Sequence, residues 1–311
     1  MELRQLRYFV AIVDHGSLSR AARVLHIAQP ALTQQIQQLE EELGNQLLHR
    51  SAQGVLATDA GKTFYEHAQA ILKQVGDAKS AVAQSASKPA GTVALGIPPS
   101  VSNALALPLL VAIRATYPDI SLQLTEELSG NLIEQLRSGR INLAVLFDDG
   151  QLTAFATVPL VEEDMLFVTR TDSRFAVPDG PVSLADAIKP PLILPGLQHG
   201  VRPRIEGLVR SAGLSVDNVI DINSVAILRS AILADLGATI LPAAPLLSDI
   251  ERGLMRAHPI SGTRISRTIA LCSSRNIPLT NAAAAVQRLV LDVTRELCGN
   301  GQWLGARTLT D

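Results

Sequence analysis

Residues 29–36, Gln29-Pro30-Ala31-Leu32-Thr33-Gln34-Gln35-Ile36, carry the reading that decides the architecture. Proline suits the first helical position, because the amide it lacks would have no helical partner there. Behind it, Leu32, Ile36, Leu39 and Leu43 recur at helical spacing on one face, while Gln29, Thr33, Gln34, Gln37 and Gln38 occupy the other. Gly44 is a plausible helix stop. A polar helix face is also what any solvated surface looks like, so the flanks decide. Upstream, Leu3, Leu6, Phe9, Val10 and Val13 predict a helix ended by His15-Gly16. Ser17 is placed to cap a short second helix, whose Ala21, Ala22 and Leu25 permit close helix packing. Downstream, Gln46–Arg50 and Val55–Thr58 read as two short extended pieces bent at Gln53-Gly54. Short helices followed by such a hairpin describe a winged helix-turn-helix.

From Asp59 to Ser87 the pattern is one long helix. Ala60, Phe64, Ala68, Ile71, Val75, Ala78 and Val82 recur every three or four residues, near the coiled-coil period, so pairing with a second copy is expected. Ser87-Lys88-Pro89-Ala90-Gly91 reads as a linker. Strand-like and helical runs then alternate: strands at Thr92–Ile97, Ser121–Glu126 and Leu143–Phe147, helices near 100–116 and 131–138. This βαβαβ order implies a parallel sheet with helices on both faces. Near Glu162-Glu163-Asp164 a second unit begins, with strands near 165–170, 192–194, 219–222 and 239–241, and helices near 183–188, 202–212 and 225–236. A strand at 268–273 and a helix at about 280–298 are expected to rejoin the first lobe. Two chain crossings would then make a hinged cleft.

The 311 residues, 47% hydrophobic and 18% charged, describe two or three packed domains rather than a disordered chain. With aromatics at 3%, the cores must be aliphatic. Within residues 1–58, Arg4, Arg7, Arg20, Arg23 and Arg50 balance Glu2, Asp14, Glu40, Glu41 and Glu42, so affinity for a polyanion must come from placement and avidity rather than bulk charge. Cys272 and Cys298 lie in no CxxC or Cys/His cluster, and His15, His26, His49, His67, His199 and His258 form no ligand pair at useful spacing. No metal and no cofactor are expected. GxSxG, GxGxxG, P-loop and HExxH motifs are absent in matching context, which argues against an enzyme. No secretory signal is expected, and Arg229, Asp235, Pro242 and Pro245 interrupt the apolar stretch 225–247, so a cytoplasmic location is expected.

The N-terminal stretch resembles the LysR family of bacterial transcription factors. The matching residues are Leu6-Arg7-Tyr8-Phe9, Gly16-Ser17-Leu18, Ala21–Leu25, Gln29–Ile36, Leu39-Glu40, and the wing residues Leu47, Arg50 and Thr58–Gly61. The likeness extends more loosely through Leu107–Leu110, Tyr117-Pro118 and Gly237–Pro242. The run Leu25–Leu32 looks most like the branch that contains the nitrogen assimilation control protein. Leu48 stands where the family often has phenylalanine, and Gln53 where it often has a second wing arginine, which weakens the expected wing contact. The resemblance implies an α+β chain: a winged helix-turn-helix at 1–58, a linker helix for dimerisation at 59–88, and a two-lobed α/β effector domain at 89–311, similar to periplasmic binding proteins. Lobe I is expected at about 89–161 and 266–299, lobe II at about 162–265. It further implies a homotetramer, promoter DNA and a small-molecule effector as partners, and RNA polymerase as a further candidate. A solute-binding protein shares the two-lobed architecture but not the winged helix, and the branch resembled also leaves open a regulator that needs no coinducer.

Glutamine can bond adenine N6 and N7 together, and hydroxyls are tolerant partners. Gln29, Thr33 and Gln34 are therefore expected at base edges, with Ser17, Ser19, Pro30 and Arg50 at the helix ends and wing beside phosphates. In hinged α/β lobes ligands bind beyond the carboxyl ends of strands. The loops there offer Ser100, Val101 and Ser102, then Ser129, Phe147 and Asp148, and from the second lobe His199, Gly200, Arg202 and Asn223. Hydroxyls and a helix start beside apolar groups point to an organic or aromatic carboxylate, and Asp148 disfavours a second ligand carboxylate nearby.

Overall fold

The computed structural model describes residues 1–51, 54–83, 88–148, 150, 152–196, 201–262 and 264–309. Gln53, Ser87, His199 and Gly200, all invoked above, lie outside the described residues. Contacts divide the chain into two compact units, residues 1–84 with 137–140, and residues 85–136 with 141–311.

In the first unit, α1 (Leu3–His15), α2 (Leu18–Val24) and α3 (Gln29–Leu43) bury Phe9, Ile12, Ala21, Leu32, Ile36 and Leu39 in one core. Ser17 caps α2 by accepting the Arg20 amide at 3.4 Å. Ala28 is the N-cap of α3, so Pro30 takes the second helical position rather than the first. After α3, Glu40 Oε1 accepts the amides of Leu47 and Leu48 at 2.8 and 3.1 Å, turning the chain into the wing. Strands β1 (Leu48–Ser51) and β2 (Gly54–Ala57) pair antiparallel. The wing docks on the α1–α2 corner, where the Val55 amide donates to Gly16 O at 2.9 Å. A side chain at Gly54 would stand 2.7 Å from that same oxygen. Helix α4 (Asp59–Ala83) starts where Thr58 Oγ1 accepts the Gly61 amide at 2.9 Å. A Cβ at Gly61 would meet Leu47 O at 2.0 Å, so only glycine lets α4 cross the wing here. The first half of α4 packs on α1, with Phe64 edge-on to Phe9 at 5.1 Å. Its second half leaves Ile71, Ala78 and Val82 exposed.

The second unit runs β3 (Gly91–Ile97), α5 (Pro99–Thr116), β4 (Ile120–Glu126), α6 (Ser129–Arg137), β5 (Leu143–Asp148) and β6 (Phe155–Arg170). There follow β7 (Val182–Ser183), α7 (Leu184–Ala187), β8 (Leu192–Leu194), α8 (Val201–Ser211), β9 (Val219–Asp221), α9 (Val225–Leu233) and β10 (Thr239–Pro242). The chain closes with α10 (Leu247–Glu251), β11 (Met255–His258), β12 (Ile260–Ser261), β13 (Ser266–Ser274), α11 (Asn281–Gly299) and β14 (Ala306–Thr308). Strands β4, β3 and β5 are parallel neighbours, as the βαβαβ pattern predicts. β13 adds antiparallel to β5, and β6 to β13. The expected strand at 165–170 is the second half of the 16-residue β6. Its first half pairs with β13, while Met165–Arg170 pairs with β10 and β11.

The cores follow this division. Val93, Leu95, Ile97, Leu105, Ile269 and Val286 belong to one core under α5 and α11, with Ala94, Leu132, Ala144 and Cys272 on the sheet's other face. Phe167, Ile193, Leu194, Ile205, Ile232 and Ile240 form a separate core. Helix α5 is long and apolar enough to cross a membrane by length and composition. In the fold it lays Val101, Ala104, Leu105, Leu109 and Ile113 on the first core.

Candidate functional site

On the first unit, α3 turns Gln29, Pro30 and Gln34 to solvent and leaves Thr33 half-buried. Ser19 donates to Gln29 Oε1 at 2.8 Å, fastening the start of α2 to the start of α3, while the Gln29 amide nitrogen has no hydrogen-bond partner among the described residues. Most carboxylates of this region are engaged. Glu2 pairs with Arg4, Asp14 accepts from Tyr65, Glu40 holds the wing amides, and Glu42 pairs with the N-terminal ammonium at 2.5 Å. Burial first, and then the Asp14 carboxylate, push the Tyr65 phenol up to about 12. Arg7, Arg20, Arg23 and Arg50 are exposed, with no ion pair among the described residues. A stretch neutral by sequence thus presents uncommitted cations around α2, α3 and the wing, which is the electrostatic footprint a polyanion needs.

The second unit holds a cavity of about 420 Å³ between its two cores. Ser100, Ser129, Phe147, Asp148 and Asn223 line it, from the loops chosen by sequence. Three other expectations are corrected. Val101 is fully buried in the core beneath α5. Ser102 turns to the Pro99 carbonyl at 3.0 Å and to Glu126. Arg202 is held by Glu206 at 2.7 Å and by Asp221, and it is Arg204 that reaches the cavity. The helix start of α5 offers few free amides. Pro98 and Pro99 have none, and Val101 and Ser102 donate to Pro98 O at 2.9 and 3.0 Å, which leaves the Ser100 amide.

Sequence reasoning missed Arg267. It opposes Glu163 directly in the β13–β6 ladder, and the two are 5% and 0% exposed. Arg267 Nε and Nη2 both lie 2.7 Å from Glu163 Oε2. Nη2 also donates to Ser100 Oγ at 3.1 Å, and the guanidinium sits 4.1 Å above the Phe147 ring. Glu163 Oε1 accepts the indole N–H of Trp303 at 2.9 Å. Nη1 has no hydrogen-bond partner among the described residues, although the side chain lines the cavity. The rest of the lining is mainly proline and aliphatic, including Pro98, Leu128, Met165, Ile222, Leu241 and Pro242. Such a cavity receives a small molecule with an apolar body and a polar end. One sequence signal was available: Arg267 shares a strand face with Ile269, and Glu163 lies between Val161 and Met165. A charge on a buried period-2 face requires a partner.

Residues 3–62 match the family model "Bacterial regulatory helix-turn-helix protein, lysR family", and residues 86–295 match "LysR substrate binding domain". The nitrogen assimilation regulatory protein nac of Klebsiella aerogenes is 36% identical over 296 residues, 94% of this chain and 95% of its own. A hydrogen peroxide-inducible genes activator of Pectobacterium carotovorum subsp. carotovorum is 32% identical, covering 90% of this chain and 92% of its own. The fold of full-length CbnR, solved with its target DNA, superposes with a TM-score of 0.70 at 24% identity, covering 95% of this chain and 99% of that one. The chain therefore belongs to the LysR family: it is a DNA-binding transcriptional regulator with an effector-binding domain, not an enzyme.

Proposed function

We propose that α3 reads promoter bases through Gln29, Thr33 and Gln34, and that a small organic carboxylate in the cavity controls the regulator. Ser17, Ser19, Pro30 and Arg50 sit beside phosphates in this reading, with Arg7, Arg20 and Arg23 adding uncommitted charge. In this reading the chain divides into a DNA-binding domain at 1–58, a linker and dimerisation segment at 59–88, whose helix runs over Asp59–Ala83, and an effector domain at 89–311. The observation that carries the effector site is Arg267, a buried guanidinium with an unpartnered nitrogen in an apolar cavity. The effector contacts are Ser100, Ser129, Phe147, Asp148 and Asn223 with Arg267. Ligand alters DNA occupancy because it binds two lobe arrangements unequally.

Assembly as a dimer of dimers fits two unpartnered apolar faces, one on the second half of α4 and one on α5, where Leu107 and Val111 are 71% and 62% exposed. The tetramer works on cytoplasmic DNA, with RNA polymerase as a further partner. Peroxide sensing, suggested by one relative's name, is disfavoured by the thiols. Burial pushes Cys272 and Cys298 each up to about 11, so neither is a ready thiolate.

Two measurements test the reading. Binding sites selected from random duplexes should lose adenine preference at one position in Gln29→Ala; an unchanged site logo removes Gln29 from base contact. Small carboxylic acids should raise the melting temperature of the full chain, and Ser100→Trp should abolish the rise. A rise that persists in Ser100→Trp places the ligand elsewhere.

A further inference from the structure

We propose that the effector is a zwitterion: an α-amino carboxylate with an apolar side chain. The inference rests on the cavity being the effector site and narrows its ligand from carboxylates in general. Arg267, Arg204 and Asp148 line the cavity, and Glu163 stands directly behind Arg267. The two cations and two carboxylates cancel. A bare organic anion would carry an uncompensated charge into a lining of proline and aliphatic groups, where desolvation is costly. A zwitterion brings no net charge, and each of its ends meets a group of opposite sign.

The carboxylate belongs at Arg267 Nη1 and the Ser100 amide, which are the unspent donors on that wall. The ammonium belongs at Asp148. Asp148 Oδ1 accepts the Gly150 amide at 2.9 Å, while Oδ2 has no hydrogen-bond partner and no lysine or arginine at ion-pair distance among the described residues. The two ends meet in one cavity because both residues line it where β5 ends, although Arg267 and Asp148 leave their strands on opposite faces of the sheet. Thr268 pairs with Asp148, Arg267 is the next residue along β13, and Phe147, beside Asp148, lies under the guanidinium. The aliphatic lining, Leu128, Ile133, Met165, Ile222, Leu228 and Leu241, is left for the side chain.

The test is thermal melting of the full chain with matched triplets: L-leucine, isocaproate and isoamylamine; L-phenylalanine, hydrocinnamate and phenethylamine; L-tryptophan, indolepropionate and tryptamine. At least one amino acid should raise the midpoint, on the order of 5 °C at about 100 times its Kd, while its acid and its amine do not. In Asp148→Asn the affinity for that amino acid should fall at least about tenfold and the affinity for the matching acid should rise. Unliganded melting checks that the variant folds, and Asp148→Ser replaces it if it does not. An acid that shifts the wild type as far as its amino acid overturns the proposal, as does an Asp148→Asn variant that keeps its amino acid affinity, or a panel with no shift. If acids alone act and Ser100→Trp abolishes the effect, the cavity remains the effector site for plain carboxylates. If shifts persist in Ser100→Trp, both readings fall.

Discussion

Arg267 and Glu163 are each tolerable in the interior only because the other is there. Removing one partner of such a pair leaves a buried charge uncompensated, whereas replacing both with apolar groups is often neutral. Arg267→Met is expected to lower stability by about 3–5 kcal/mol, and Arg267→Met with Glu163→Met to recover most of it. Urea unfolding followed by Trp303, the sole tryptophan, reads both variants in the unit concerned. Equal midpoints for Arg267→Met and the wild type would show that the pair contributes nothing. His26, in the turn before α3, holds a φ of 55°, a left-handed conformation that glycine adopts freely. His26→Gly is expected to stabilise the first unit by about 1 kcal/mol, measured by its thermal midpoint. The sequence shows these residues unevenly. Gln29, Ser100 and Asp148 are legible because they stand next to a helix start or a strand end. Arg267 and Glu163 show only that each needs a partner; the partner lies 104 residues away, and no local pattern spans that distance.

At the scale of elements, periodicity works where one face is buried. Leu32, Ile36 and Leu39 made α3 readable, and the βαβαβ order made a sheet covered on both faces readable, as β3 shows with Val93, Leu95 and Ile97 in one core and Ala94 in the other. It fails for β14, three residues without apolar alternation, fixed instead by ladder bonds to β6 and by Arg307 pairing with Glu162. It also fails to show that one strand serves both lobes, because Phe155–Pro159 and Met165–Arg170 are separated by the charged Glu162-Glu163-Asp164. Those three acids are each neutralised: Glu162 by Arg307, Glu163 by Arg267, and Asp164 by Arg264 at 2.8 Å. The unpartnered faces of helices carry the assembly prediction. Val111→Glu on α5 and Val82→Glu on α4, the latter 91% exposed, should each reduce the particle mass by light scattering without lowering the melting temperature of the unit that carries it. A tetramer that survives both substitutions would exclude these faces as interfaces.

For the molecule as a whole, charge placement outweighs charge total. The formal net charge is −2, yet in the first unit Arg7, Arg20, Arg23 and Arg50 have no ion pair among the described residues, while most nearby acids are engaged elsewhere. Arg50→Ala should reduce the slope of log K against log salt by about 0.9, one phosphate contact, and an unchanged slope removes Arg50 from the phosphates. The thiols give the complementary result. With Cys272 and Cys298 pushed up to about 11, about 0.1% is thiolate at pH 8, so iodoacetamide should label native protein far more slowly than the urea-unfolded chain. Rapid labelling of the native protein would revive a redox role. The longest strand has a mechanical consequence. β6 leaves one lobe beside the strand by which the chain returns, the Met165 amide meeting Ile265 O at 2.8 Å, so both covalent links run side by side as one paired ribbon. A paired ribbon bends more readily across its broad face than edgewise, so the two lobes are expected to move as a hinge about it. A molecule lodged beside that axis acts with a short arm. It exerts torque rather than translation, and the far edge of each lobe sweeps the larger arc.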